Sequence, residues 1–358
     1  MKDHPITQDA SSAAQKLVGM PPQTAARLSD AALDALAQTA AQQASTAAET
    51  LVGMPPHIAE RIPIDTVRAL IRTASQQAHA ATQALRGMPP RVVERLPDDD
   101  LRALARAAAQ DAAAAAQALS AMPLHLVERL PDDDLHALAQ AAAQMKGWAS
   151  QALRGMPPQT AARLSEDDRC ALARTAARGA DEAAWALVGM PETVSACLPK
   201  DALRGLAQAT AQRAGAAMQA LVGMSPKVVD RLHDDDLRML AQAAAQQTNT
   251  AAQALRGMPP HVARRLTDAD LRALARRSAM DATQAAQALG GMPPQTAARL
   301  PDAALNALAQ AAAQSPEDAA RALGGMSPGT IGRLPSEARS ALTRAAAEAS
   351  ERRPKLTR

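Results

Sequence analysis

The chain has 358 residues, 47% apolar but only 1% aromatic, with no Phe or Tyr and a net charge of +3. So small a charge excludes the heavy basic loading of a dedicated nucleic-acid protein. A length that ordinarily means two or three domains is overridden by an internal repeat, and the abundance of Ala, Leu, Gln, Arg and Met predicts an all-helical chain.

In chain order, the opening MKDHPITQD is polar and lacks the apolar core of a signal peptide. No apolar run reaches the ~18 residues that a membrane span needs. Residues 1–19 read as an N-terminal cap, in which Ser11 to Gly19 supply the tail of a helix. Methionines then recur every 34 residues: Met20, Met54, Met88, Met122, Met156, Met190, Met224, Met258, Met292 and Met326. Residues 20–325 are nine tandem copies, and 326–358 form a degenerate capping copy with a basic tail. A period without insertions means one unit copied and stacked in file.

With offsets counted from each Met, Gly precedes it in every copy but the one with Ala121, and Pro usually follows. This predicts a corner between helices, with Gly in a left-handed backbone and Pro opening the next helix. A short helix follows, such as 89–96, with apolar residues at offsets 4 and 8 on one face. Offset 7 is Arg in all copies except that with Cys197. Pro or Ser at offset 9 commonly opens a second helix, whose first turn is acidic, as in Asp98–Asp100, Asp132–Asp134 and Asp234–Asp236. Those charges oppose the positive end of the helix dipole and do not have the spacing of a metal site. Apolar positions at offsets 13, 16, 20, 24, 27 and 31 keep the α-helical period. They predict one long helix of about 22 residues, interrupted in copies with Gly147, Gly179, Gly215 or Pro316. The tenth copy is altered by Arg339, Gly329 and Gly332, and ends in ERRPKLTR.

The predicted architecture is an all-α solenoid or superhelix of ten 34-residue repeats, advancing ~8–10 Å per repeat at helix-packing distance. No copy is self-sufficient, because one short and one long helix cannot bury their own apolar faces. The segment LPDDDLRALARAAAQ and its period resemble the generic class of 34-residue α-solenoid repeats, tetratricopeptide-like or TAL-effector-like in period only. That resemblance implies a stacked helical fold. The transcription-activator-like effector repeats read DNA through a variable pair followed by Gly. Here Ala107-Ala108, Ala141-Ala142 and Ala243-Ala244 stand there without Gly, so no base-reading residue carries over.

Three polar rows and one irregular zone are candidates for function. The offset-7 arginines either form a basic stripe for phosphates and acidic peptides or, the favoured reading, cap helix ends and pair with offset 11, as Arg95 with Asp99. Offset 18 is always Gln or Arg, and includes Arg72, Arg106, Arg174 and Arg276. With offset-14 arginines and offset-22 glutamines it forms a ladder able to contact bases or phosphates, or an ordinary solvent face. Offset 3 varies among polar types, with His57, Arg91, His125, Lys227 and His261 as partner-binding candidates or as drift at an exposed site. Trp148 and Trp185, the only aromatics, fall on the polar side of the long helices and are candidate interface anchors. Together with Arg169, Cys197 and Glu192 they mark copies four to six as a contact patch or as local decay of the array.

Nothing in the spacing of histidines, cysteines or carboxylates suggests a catalytic constellation, metal site, cofactor fingerprint or small-molecule substrate. Cys170 and Cys197 read as reduced thiols. The first functional expectation is a non-enzymatic scaffold that binds another protein or peptide along its repeated surface. The alternative is a nucleic-acid-binding helical repeat protein using the Arg/Gln ladders, and no membrane association is expected. The Ala-, Arg- and Asp-rich composition is of bacterial, GC-rich style. It fits the cytoplasm or a secreted effector that enters a host cell without a cleavable signal peptide.

Overall fold

The computed structural model describes residues 9–352, all of whose regular elements are helices. Residues 1–8 of the expected cap and 353–358 of the expected tail lie outside the described residues. The chain divides into two compact units, Met1–Ala176 and Ala177–Arg358.

Each of the first nine copies contains three helices where the sequence predicts two. In the third copy these are a short helix Pro90–Glu94, a middle helix Asp98–Ala108 and a third helix Ala112–Ala121. The predicted long helix is broken in each of the first nine copies by a three-residue turn, such as 41–43, 109–111 and 245–247. The turn is built by side chains that offer the backbone other partners. Asp111 has extended backbone and accepts from the Ala114 amide at 2.8 Å, and Asp281 accepts from Gln284 at 2.9 Å. Thr250 donates to the Ala244 carbonyl at 2.6 Å and the Gln247 carbonyl at 3.1 Å, closing the end of the middle helix. Gly147 and Gly215 do not make the break. They lie in the first turns of the third helices Lys146–Gly155 and Ala214–Gly223. Gly179 caps a third helix and Pro316 opens one. Only the tenth copy runs on as one helix, Ser336–Arg352.

Both units have the same plan. Each starts on a third helix (Ala10–Val18 or Ala180–Gly189), continues through four full copies, and ends on a short and a middle helix. Those last helices are Pro158–Arg163 with Glu166–Ala176, and Pro328–Arg333 with Ser336–Arg352. Within a unit, like helices stack in rows. The third helix Ala44–Gly53 also lies on the middle helix of the next copy, Ile64–Ala74, as well as on its third helix, Ala78–Gly87. Each unit is thus an α-solenoid whose core runs along the rows. Leucines such as Leu101, Leu104 and Leu119 and methionines such as Met88 fill it. Alanines such as Ala115 and Ala118 set the closeness of the helices.

The glycine before each Met has a different role from the one its position suggests. No described residue has a positive φ, and this glycine is usually the last helical residue. It is small because the previous copy lies against it. A Cβ on Gly87 would stand 2.5 Å from Val52 Cγ1, and one on Gly223 would stand 2.6 Å from Val188 Cγ1. Non-bonded carbon atoms do not approach so closely, so glycine here permits third helices to touch.

Candidate functional site

The offset-7 arginines are tied down between copies. Arg129 donates to the Val93 carbonyl, to the Leu96 carbonyl at 2.6 Å and to Asp98 at 2.5 Å, all in the preceding copy. Arg61 does the same with Ala25 (2.6 Å), Leu28 (2.7 Å) and Asp30 (2.8 Å). Arg265 and Arg333 repeat the arrangement in the second unit. The expected pairing with offset 11 of the same copy is corrected: Arg95 reaches back to the Ile62 carbonyl at 2.8 Å, and Asp99 faces Arg102 at 3.5 Å. The cause is the unsatisfied carbonyls at the end of the preceding short helix. A planar guanidinium spans two of them and a carboxylate at once.

Offset 14 makes a second tie, to a buried aspartate at offset 12 of the following copy. Arg68 meets Asp100 at 3.0 Å, Arg204 meets Asp236 at 3.6 Å and Arg102 lies 3.9 Å from Asp134, where the offset-18 Arg106 joins it at 3.4 Å. Between the first two copies the roles are exchanged, with Asp34 accepting from Thr66. Between the fourth and fifth copies His136 replaces Arg and its Nδ1 pairs with Asp168. Ser165 completes a Ser–Asp–His cluster that spacing along the chain did not reveal. Its hydroxyl donates to Asp168 at 2.6 Å rather than to the imidazole, whose Nε2 faces Gln140 at 2.8 Å. The same hydroxyl oxygen accepts from the Asp168 amide at 3.1 Å, which makes the serine a helix cap.

Offset 18 is left facing solvent in every copy. Arg72 and Arg174 bond only backbone of their own helix, to the Arg68 carbonyl at 3.5 Å and the Cys170 carbonyl at 3.2 Å. Arg276 is exposed, and Arg106 keeps an exposed side chain beside Asp134. Exposed glutamines at offset 22 accompany them: Gln42, Gln76, Gln110 and Gln144 in the first unit, and Gln212, Gln246 and Gln314 in the second.

Offset 3 is not a uniform row. His125 and His261 donate through Nε2 to the Met88 and Met224 carbonyls, both at 3.0 Å, so they tie copies together. His57 Nε2 is buried without a partner, Arg91 pairs with Glu94 at 3.6 Å, and Lys227 is exposed.

Trp148 and Trp185 belong to different units. Trp148 is half-buried in its helix, while Trp185 is 48% exposed. Other exposed apolar residues are Val18 (37%), Leu124 (46%), Met145 (57%) and Met280 (70%). Met145 and Met280 are absent from the sequence-based candidates, although a large apolar residue where the others of the first nine copies carry Gln, Arg, Asp, Gly or Ser is a visible signal.

Arg169 also acquires a reason. It donates to the Ala161 carbonyl at 2.8 Å and to the Leu164 carbonyl, closing the short helix of its own copy. Arg339 does this at the end of the second unit, donating to the Leu334 carbonyl at 3.1 Å. Both cysteines are free, and burial pushes the Cys170 thiol above its ordinary value, with Arg174 opposing.

Among the described residues no group of His, Cys, Asp and Glu is placed to hold a metal ion, and no helix is long and apolar enough to cross a membrane. Compared with known proteins, the chain matches no family model and no curated relative.

Proposed function

We propose that the protein is a non-enzymatic repeat scaffold that holds another protein or peptide along its exposed Gln/Arg face. The supporting observation is how the arginines are divided. Most of those at offsets 7 and 14 are spent between or within copies, and those at offset 18, of which only Arg106 also reaches a buried aspartate, stand in solvent beside a row of glutamines. That leaves a sparse charge among amide groups, which suits the backbone and carboxylates of a polypeptide. Leu124 and Met145 in one unit, and Trp185 and Met280 in the other, add apolar anchors of the kind that dominate protein interfaces. A reducing compartment fits the two free thiols. That is the bacterial cytoplasm or, for a secreted effector, the interior of a host cell.

A second reading, nucleic-acid binding, draws on the exposed Arg72, Arg106, Arg174 and Arg276. Salt separates the two. Each phosphate contact adds a slope of ~0.9 to the fall of log affinity with log salt on duplex DNA. Affinity capture from nuclease-treated lysate at low and high salt is expected to retain a protein partner with modest loss. Alanine at the four arginines is expected to weaken that retention. Capture that vanishes with nuclease and falls steeply with salt would overturn the scaffold reading.

A further inference from the structure

The first copy has a face that no later copy leaves open. Thr24 (offset 4) is exposed, and Leu28 and Leu36 (offsets 8 and 16) are only half-buried, whereas their equivalents are buried in every later copy. Together with Met20, Ala32 and Ala35 they line a groove of about 610 Å³ between the helix Ala10–Val18 and the first copy's short and middle helices. Two cations rim it. Lys16 stands exposed at an offset that is buried elsewhere, and the Arg27 guanidinium has no hydrogen-bond or ion-pair partner among the described residues.

What such a face takes is displayed inside the molecule. In the second copy Ile58, Ile62 and Leu70 are covered, and Arg61 is seated on two short-helix carbonyls and an aspartate of the copy before it. We propose that the front face of the first copy docks a helix–proline–helix segment of another molecule. That segment is apolar on one side, and its first helix ends in free carbonyls followed by an aspartate. Arg27 would cap those carbonyls and pair with the acid, while Leu28 and Leu36 receive the apolar side. The groove with its cationic rim is complementary to an acidic, amphipathic helix end and repels a basic one.

The far end of this same chain is not the occupant. Arg339 already occupies the Leu334 carbonyl, and the outward Arg339, Ser340, Thr343 and Arg344 are polar and exposed. Cys197 sharpens the point. The sixth copy follows in sequence a fifth copy that closes its own carbonyls through Arg169, and it has no arginine at offset 7. The first copy keeps Arg27. The groove's lining contains none of the offset-18 or offset-22 residues, so the two proposals fail independently.

The test is a fluorescence-anisotropy titration of the full chain with a labelled synthetic peptide of residues 88–110, a short and a middle helix of the required chemistry. Saturable binding is expected. Arg27→Ala, or Asp98→Ala in the peptide, should weaken it about tenfold, the equivalent of one charge-assisted hydrogen bond. Thr24→Glu and Leu36→Glu, at positions that are not fully buried, should abolish it with the thermal melt unchanged. Alanine at Arg72 and Arg106 should leave it intact. Absence of binding overturns the proposal, as does binding indifferent to Arg27 and Leu36. Binding seen only after removal of residues 1–8 also overturns it, because the chain's own start would then fill the groove.

Discussion

Glycine at the end of a third helix is subject to two opposing effects. Glycine inside a helix ordinarily costs ~0.5–1 kcal/mol relative to alanine. At Gly257, however, an added Cβ would stand 2.8 Å from Val222 Cγ1 and 3.0 Å from Cγ2. Overpacking of that kind costs ~1–3 kcal/mol, so steric repulsion wins over propensity. Gly257→Ala is expected to destabilise the second unit by about 1–2 kcal/mol in urea unfolding. Val222→Ala in the same chain should recover most of that loss, because it removes the opposing methyls. Gly205→Ala, where no neighbour lies within 4 Å of the added carbon, should stabilise by ~0.5–1 kcal/mol. A loss at Gly205, or no rescue at Gly257, would refute this account. The sequence made the position conspicuous but not its reason, since a helix-ending glycine and a close-approach glycine look alike in one dimension. The same holds for the offset-7 arginines. Their regularity was visible, and so was a role in capping. That they cap the neighbouring copy rather than their own depends on which chain ends face each other, and that is a tertiary fact.

At the scale of helices, the broken long helix shows how a period can mislead. Offsets 13 to 31 keep a mean spacing of 3.6 because both the middle and the third helix turn their apolar sides into one core. A short turn between them leaves that average intact. The break was written instead in cap residues at offset 23, such as Asp111, Asp281 and Ser315, each accepting from an amide three residues on. Where no such cap exists, threonine at offset 26 can substitute. Thr250→Val keeps the shape of the side chain but strips the bonds to Ala244 and Gln247. Removing a buried donor from a carbonyl at a helix end costs ~1–3 kcal/mol. A lowered thermal midpoint with nearly unchanged far-UV circular dichroism is expected. An unaltered midpoint would mean that packing alone holds the turn. The exposed Gln/Arg row was legible for a complementary reason. Its offset-18 members depend only on the phase of the middle helix, which ends beyond them, and its offset-22 glutamines stand in the turn itself, whereas the offset-14 arginines looked equally free until the next copy's buried aspartates were in view.

For the whole molecule, the array of ten copies was legible and its grouping was not. The period treats all copies alike, yet each unit ends on a middle helix carrying arginine at offset 13, Arg169 or Arg339, five periods apart. Those arginines close a short helix that elsewhere waits for its successor. A chain cut after residue 176 should therefore end better than one cut after 142, although both stop at the same point in a copy. After 142 the end presents Leu135, which is wholly buried in the intact chain. The Val127 carbonyl also loses Arg163, its donor. After 176 the end presents Arg169, with its bonds to Ala161 and Leu164 made inside the fragment. Nearest-neighbour energetics make such an end local in its effect. The 1–176 fragment is expected to sediment as a monomer with protected amides through its last short helix. The 1–142 fragment is expected to self-associate, or to exchange rapidly across residues 124–142. Both share the open front face of the first copy, so any association through that face cancels in the comparison. Equal sedimentation and equal protection would show that arginine at offset 13 does not close the unit.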